Sequence, residues 1–342
     1  MAVLVTLSVA TGAACGGGDG KGRGGAGAPS TTTRATAAVA TGFPLTGLPL
    51  GDPRPAPHAA LVVKIDNAPK ARPQVGINEA DVVVEEQVEG GVTRFASIFH
   101  STDVGRVGPV RSARSTDIAI VSPLHRPLFA YSGTNATFLR LVRAAPLVDV
   151  GHDAASGAYR RDRSRPAPYN LFASPAELRA HAPAGEDPPA LFAYRRASDP
   201  FGAAGAKKVA GIHYEFRDIV TTIVDFTWDG AARGWRRTQH GTPHVDAAGA
   251  QVAPANVVVQ FTRYADTGQR DRSGAAVPEA ELLGEGDAWI LSGGRLALGR
   301  WRKGAADEVT SYVDSEGAAV LLAPGHTWVV LLPPGQAREV PF

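Results

Sequence analysis

Hydrophobic and polar residues alternate along the first part of the chain, which is the pattern of half-buried strands. Between residues 61 and 66, Leu61, Val63 and Ile65 share one face, so we expect a strand there. Two more alternating runs, 81–88 and 92–100, flank Glu89-Gly90-Gly91. Paired glycines supply the positive φ angles that a tight turn needs, and this segment therefore predicts a hairpin.

Helical patterns appear next in the sequence. A helix is expected over 115–121, and a second is expected over 135–142, where Asn135 is a typical N-cap residue. Short apolar runs over 128–131 and 147–150 predict strands. Strands that alternate with helices indicate a layered α+β domain, which we assign to residues 43–185.

Beyond residue 185 the pattern changes to strands separated by tight turns. This half, residues 186–342, is expected to be a mostly antiparallel β domain, and the polar stretch 266–285 is expected to be a loop. The predicted fold class of the whole chain is therefore α+β. The expected strands of the second half are 221–228, 234–240, 256–264, 288–292, 295–301, 309–313, 318–322 and 327–332.

Cys15 is the single cysteine among the 342 residues. It follows an apolar run and the small residues Gly12, Ala13 and Ala14, as expected at the cleavage site of a signal peptide over residues 1–15. This arrangement resembles the lipobox of bacterial lipoproteins, in which the cysteine receives a diacylglyceryl group that carries chains such as palmitate. The alternatives are an ordinary secretory signal and an N-terminus with an unused thiol.

Residues 16–42 are rich in Gly, Ser, Thr and Ala and contain almost no large apolar side chain. Such a segment buries too little surface to offset the entropy of ordering, so we expect a disordered tether. About 25 flexible residues reach roughly 25 to 30 Å. A lipid at Cys15 would thus hold the folded body at the extracytoplasmic face of the cell membrane. No later segment has 18 uninterrupted apolar residues, the minimum for a transmembrane helix.

The formal net charge is +2 and 44% of the residues are hydrophobic. We therefore expect ordinary globular cores and no nucleic-acid partner. The sequence has none of the common nucleophile, zinc-protease or phosphate-loop motifs. His240 and His244 have the spacing of a metal pair on a helix, but Gly241 and Pro243 prevent that helix. We expect no metal, no cofactor and no catalytic residue, although enzymatic activity stays open.

Charged and polar residues concentrate around the ends of the first predicted strands. If Glu85, Arg94 and the Arg111/Arg114 pair meet at a sheet edge, they form a cleft with both charge signs. Bidentate guanidinium contacts in such a cleft suit a carboxylate-bearing ligand, for example a peptidoglycan stem. The alternative is an ion-pair network that fixes loops on the sheet. The candidate ligand-binding residues are Asp66, Asn67, Arg72, Glu85, Glu89, Arg94, Arg111, Arg114 and Asp117.

All five tryptophans lie in the second half of the chain. Indole rings stack on sugars, so a glycan-binding surface is one interpretation, and burial in the core is the other. The five are Trp228, Trp235, Trp289, Trp301 and Trp328.

Several motifs together resemble the YerB-like family, also called DUF3048. The N-terminal motifs are the segments 44–49, 64–67, 71–76, 80–85, 89–95 and 108–114, and the C-terminal motifs are 256–260, 299–301 and 324–328. This resemblance implies a bacterial surface lipoprotein with an α+β N-terminal domain and a β-rich C-terminal domain. It implies no particular activity.

Three functions remain open from the sequence. The first is a non-catalytic lipoprotein that binds a cell-wall component or an envelope protein. The second is a wall hydrolase or lyase that uses carboxylates such as Asp66, Glu85 or Glu89 as acid and base, since glycoside cleavage needs two carboxylates about 5 to 10 Å apart. The third is a structural spacer. An open groove lined by carboxylates favours the enzyme, and acids interlocked with arginines beneath loops favour the other two.

Overall fold

A computed structural model describes residues 42–51, 55–102, 104–182, 184–271 and 274–342. Cys15, the predicted signal peptide and all of the predicted tether except Gly42 lie outside these residues. None of the helices in the described ranges is both long enough and apolar enough to cross a bilayer.

Within its described part, the first half of the chain forms seven short strands and three α-helices. The structure confirms the predicted first strand, the hairpin and the helices at 115–121 and 135–142. The observed ends of these elements lie within two residues of the predicted ones. The elements are β1 (Leu61–Asp66), β2 (Val82–Gln87), β3 (Thr93–Phe99), α1 (Thr116–Val121), β4 (Leu128–Ala130), α2 (Ala136–Ala144), β5 (Val148–Asp149), β6 (Tyr159–Arg161), β7 (Leu171–Ala173) and α3 (Pro175–Arg179).

The described part of the second half contains strands and no α-helix. The elements are β8 (Ala193–Tyr194), β9 (Lys207–Lys208), β10 (Gly211–Arg217), β11 (Thr221–Asp229), β12 (Gly234–Gln239), β13 (Thr242–Pro243), β14 (Asn256–Phe261), β15 (Tyr264–Arg270), β16 (Ala276–Ala280), β17 (Gly284–Ser292), β18 (Arg295–Lys303), β19 (Ser311–Asp314), β20 (Leu321–Leu322), β21 (Thr327–Leu332) and β22 (Ala337–Val340).

The expectation of a loop over 266–285 is wrong, because β15 and β16 pair there as an antiparallel hairpin. Most of β15 is exposed or half-buried. A strand that buries neither face needs no apolar alternation, and the sequence pattern therefore missed it.

The largest sheet contains strands from both halves of the chain. Its order is β19-β18-β17-β14-β21-β2-β3-β1-β4-β5, with β9 paired to β18. The two halves join where β2 runs parallel to β21, with Val82 opposite Thr327. The predicted domains 43–185 and 186–342 thus share one sheet, and the boundary between them stays a prediction.

Different layers cover the two faces of this sheet. A second, antiparallel sheet, β13-β12-β11-β10-β22, packs against one face and brings Tyr214 and Phe226 onto Val63 and Phe95. Helices α1 and α2 contribute Val121 and Val142 to the core on the other face. Alternate residues of a strand point to opposite faces, so neighbouring polar residues of β1, β2 and β3 enter different layers.

Candidate functional site

The ends of β1, β2 and β3 carry charged residues on both faces of the central sheet. Across the strands, Arg94 lies opposite both Asp66 and Glu86. Glu85, the neighbour of Glu86, projects to the other face and accepts a hydrogen bond from Thr93. The strands therefore form two separate buried polar groups.

We call the group beneath α1 the Lys64 cluster. Its members are Lys64, Asp66, Glu86, Glu89, Arg94, Arg111, Arg114 and Asp117. Lys64 is fully buried, and its ammonium group donates to Glu86 and, at 2.6 Å, to Asp117. Asp117 also accepts from the backbone N–H of Arg114 at 2.7 Å. These contacts fix the start of α1 on the sheet.

Glu86 carries a strongly perturbed carboxyl group. Burial raises its pKa to about 7, and the nearby charge of Lys64 only partly opposes this effect. One of its oxygens, Oε2, has no hydrogen-bond partner among the described residues. Partial protonation near neutral pH thus lowers the negative charge that the interior has to hold.

Glu89 and Arg114 form the next part of the cluster. The Nε of Arg114 donates to Glu89, and Arg94 lies 3.7 Å from the other carboxylate oxygen. Burial alone would raise the pKa of Glu89, but the hydrogen bond and charge of Arg114, together with the charge of Arg94, outweigh it and lower the pKa below its usual value. Glu89 is therefore a stable anion.

Arg94 is more than nine-tenths buried and incompletely paired. Its Nη1 donates to the carbonyl of Ser112 at 3.1 Å, whereas its Nε finds no partner among the described residues. Burial and the neighbouring charge of Arg114 lower its pKa to about 10. Arg94 thus retains donor capacity inside the cluster.

Arg111 is the member of the cluster most open to solvent. Its Nε donates to Asp66 at 2.7 Å, and its side chain is 26% exposed, whereas that of Asp66 is 3% exposed. No described residue accepts a hydrogen bond from its two terminal nitrogens. Arg111 is therefore the place where a carboxylate from outside can contact the cluster.

Glu85 lies in a second group, the Glu85 network, on the opposite face. Its carboxylate accepts from Thr93 (2.9 Å), Tyr214 (2.8 Å), Arg237 (2.9 Å) and Trp328 (3.0 Å). The other members are Asn67, Gln74, Gln239 and His244. The prediction from the sequence that Glu85 meets Arg94 is wrong, because the pleat of the strands puts the two side chains on opposite faces of the sheet.

Asn67 and Arg72 also lie on this second face. Asn67 donates to Thr93 at 2.7 Å and to Gln239 at 3.0 Å. Arg72 is half-buried, and burial together with the charge of Arg237 lowers its pKa. Six of the nine candidate residues meet in the Lys64 cluster, namely Asp66, Glu89, Arg94, Arg111, Arg114 and Asp117. The other three, Asn67, Arg72 and Glu85, lie on the opposite face of the sheet.

Several members of both groups were not among the candidate residues predicted from the sequence. Lys64 interrupts the apolar run of β1, which was a usable signal, and Glu86 lies between Glu85 and Gln87 in β2. Arg237 gave none, because it contacts Glu85 from 152 positions away.

Two histidine groups bear on metal binding. His244 is buried and its Nε2 lies 2.8 Å from Gln74 Oε1, so it is used within the Glu85 network. His58, His100 and Asp187 place possible ligand atoms within 4.8 Å of one another. However, the rings of His58 and His100 stack with centroids 4.4 Å apart and planes 20° apart. The lone pairs of a histidine lie in its ring plane, so two stacked rings hold their lone pairs in separate, nearly parallel layers, which is unfavourable for binding one ion.

The tryptophans divide between the core and the surface. Trp235, Trp301 and Trp328 are buried, as the core interpretation predicted. Trp228 and Trp289 are half-buried, so the glycan interpretation remains open for these two.

The chemistry available in the two groups is that of ion pairing. Glu85 and Glu86 are fully buried, and Glu89 is 8% exposed. Glu85 and Glu89 belong to groups on opposite faces of the sheet, so they do not flank a common substrate position. Both groups thus interlock acids with basic residues in the interior, which is the arrangement that the binding and spacer hypotheses predict.

Comparisons with known proteins agree with the motifs and the fold. The N-terminal domain model described as "Protein of unknown function (DUF3048)" matches residues 45–186, and the corresponding C-terminal domain model matches 212–329. A Bacillus subtilis strain 168 protein described as "Putative lipoprotein YerB" is 27% identical over 307 residues, which cover 87% of this chain and 88% of that protein. The crystal structure of YerB protein from Bacillus subtilis matches with a TM-score of 0.74 at 22% identity, over 86% of this chain and 98% of that one.

Proposed function

The chain belongs to the DUF3048 family, and on that premise we propose that it is a lipid-anchored envelope protein whose folded body binds a carboxylate-bearing cell-wall component without catalysis. The observation that carries the binding function is the partly exposed guanidinium of Arg111, which belongs to a largely buried cluster of basic residues and their acidic partners. The anchor is the diacylglyceryl group on Cys15, and it holds the body at the extracytoplasmic face of the cell membrane.

The anchor is supported by the sequence and by a relative. Cys15 follows an apolar run and small residues and precedes a tether of Gly, Ser and Thr. A relative that matches 87% of this chain is described as a putative lipoprotein. A chain with this order of segments needs no transmembrane helix to remain at the membrane.

Binding of a carboxylate is supported by the donors at the cluster surface. Arg111 uses its Nε for Asp66, which holds the guanidinium plane, and its side chain is 26% exposed. A planar, pre-oriented guanidinium binds a carboxylate through two parallel hydrogen bonds. Arg94 in the same cluster has an Nε without a partner among the described residues and so adds an unused donor.

The burial of Glu85 and Glu86 argues against catalysis by these carboxylates. General acid-base chemistry needs a group within hydrogen-bond reach of substrate. Glu85 already accepts four hydrogen bonds, and both Glu85 and Glu86 are fully buried. We therefore do not propose a hydrolase or lyase.

The anchor is tested with Cys15→Ser in cells that produce the full chain. We expect the variant to leave the membrane fraction, whereas the unmodified chain stays there and its mature N-terminus carries the mass of a lipid-modified cysteine. Membrane retention of the variant, or an unmodified cysteine in the parent chain, would disprove the anchor.

The binding function is tested by co-sedimentation with purified insoluble peptidoglycan. We expect Arg111→Ala to reduce the bound fraction several-fold, and Arg111→Lys to reduce it less, because lysine keeps the charge but loses the planar pair of donors. Arg160→Ala is the matched control, since Arg160 is a surface arginine that is 67% exposed and lies 3.5 Å from Glu177.

Thermal unfolding of each variant separates binding from folding. A large fall in melting temperature for Arg111→Ala, with no binding defect in folded Arg111→Lys, would assign Arg111 a structural role. Equal loss in the Arg160 control would mean nonspecific adsorption. If peptidoglycan fails to bind and cross-linking captures an envelope protein at Arg111 instead, the wall ligand is wrong.

A further inference from the structure

A large open groove lies at one end of β14, β17 and β18. Its lining residues are between positions 261 and 337, whereas the Lys64 cluster is formed by residues 64–117. The volume of the groove is about 840 Å³. Its lining residues include the apolar neighbours Trp289 and Leu298, which we call the floor, and also Thr262 and Gly335. Charged residues of the same strands, among them Asp287 and Arg300, also line the groove. The groove therefore combines apolar and charged side chains.

Strand register explains this composition. Trp289 lies opposite Leu298 in the antiparallel pair β17 and β18, and Asp287 lies opposite Arg300. Residues two positions apart on a strand share a face, so these four side chains line one face of the sheet. Further along the same strands, Leu291 and Leu296 face the same side but are fully buried under the second sheet.

The indole of Trp289 is held in place while part of it stays accessible. Its ring packs edge-to-face on Phe261, with centroids 5.5 Å apart and planes 82° apart. Trp289 is half-buried, and Leu298 beside it is 46% exposed. An aromatic ring fixed in this way loses little conformational entropy when a ligand stacks on it.

The charges beside this floor are balanced. Arg300 lies 3.1 Å from both Asp287 and Glu285, and Arg302 lies 3.2 Å from Glu285. These pairs are exposed and stay hydrated, so they offer both donors and acceptors to a ligand. A charged ligand would have to compete with an existing partner, whereas hydroxyl groups can bridge both signs.

We propose that the groove around Trp289 binds a neutral glycan chain, with a pyranose ring stacked on the indole and hydroxyl groups bound by Asp287 and Arg300. This inference rests on the proposed wall-binding function and names a second contact and its ligand class. The apolar face of a sugar fits the floor, and its hydroxyl rim fits the paired charges.

The test is calorimetric titration of the full chain with two neutral probes, the tetrasaccharides chitotetraose and cellotetraose. We expect millimolar or tighter binding of at least one probe, and Trp289→Ala should weaken it about tenfold or more. Trp228→Ala is the matched control because Trp228 is also half-buried but packs against Trp235, with ring centroids 5.0 Å apart. It should leave binding unchanged.

Three results would overturn the inference. They are a lack of heat with both tetrasaccharides, an equal loss in Trp289→Ala and Trp228→Ala with folding intact, or a dimer in light scattering that Leu298→Asp dissociates. The last result would mean that a second copy covers the groove. Arg111→Ala should bind the neutral probes normally, so failure of the carboxylate site and failure of the glycan groove are distinguishable.

Discussion

Replacing Glu85 by alanine removes the centre of the network that joins the two sheets. In the folded protein, this fully buried carboxylate accepts hydrogen bonds from Thr93, Tyr214, Arg237 and Trp328. The substitution leaves the charge of Arg237 fully buried with no anion beside it. It also leaves the hydroxyl of Tyr214 and the indole N–H of Trp328 without their acceptor.

The expected loss is large compared with the stability of a typical domain. Breaking a buried ion pair by removing one partner costs about 3 to 5 kcal/mol. Single domains are stable by about 5 to 15 kcal/mol. We therefore expect Glu85→Ala to lower the free energy of unfolding by about 4 kcal/mol, with the remaining hydrogen bonds of Arg237 to Gln239 and His244 preventing a greater loss.

Urea unfolding followed by tryptophan fluorescence measures this change, since buried Trp235 and Trp328 report on the same core. Glu281→Ala is the control. It removes an exposed partner of Arg263, with side chains 44% and 82% exposed, and should cost less than about 1 kcal/mol. A loss below about 1 kcal/mol for Glu85→Ala as well would refute the view that this network holds the sheets together.

Two further predictions concern pH and the backbone. Burial raises the pKa of Glu86 from 4.5 to about 7, so the unfolded chain loses this proton first and the free energy of unfolding should fall by up to about 3 kcal/mol as the pH rises between these values. Glu86→Gln should remove this fall in urea titrations at about pH 5 and about pH 8, and an unchanged pH profile would contradict the assignment. Gly91 has a φ of +84°, and an added Cβ would lie 2.0 Å from the carbonyl oxygen of Val220. Gly91→Ala should therefore cost about 3 kcal/mol or more. Gly90→Ala, at a φ of +72° with no atom within 4 Å, should cost about 1 kcal/mol, and equal melting temperatures would show that the contact is unimportant.

The sequence by itself determined the local elements of this protein. Alternation fixed β1 and the β2–β3 hairpin, because the two faces of a strand must suit different surroundings. Asn135 fixed the start of α2, where its side chain accepts from the N–H of Phe138 at 2.8 Å. The resemblance of motifs in both halves of the chain to the DUF3048 family indicated the α+β fold.

Only the tertiary structure decided which distant residues meet. Alternation can assign Glu85 and Glu86 to different faces, but it cannot show that Arg237 reaches one of them and Asp117 comes close to the other. The sequence also could not show that β2 pairs in parallel with β21 or that Trp289 is partly exposed. Local patterns report the nearest neighbours along the chain, whereas the pairing of distant segments is set by the summed packing of the whole sheet.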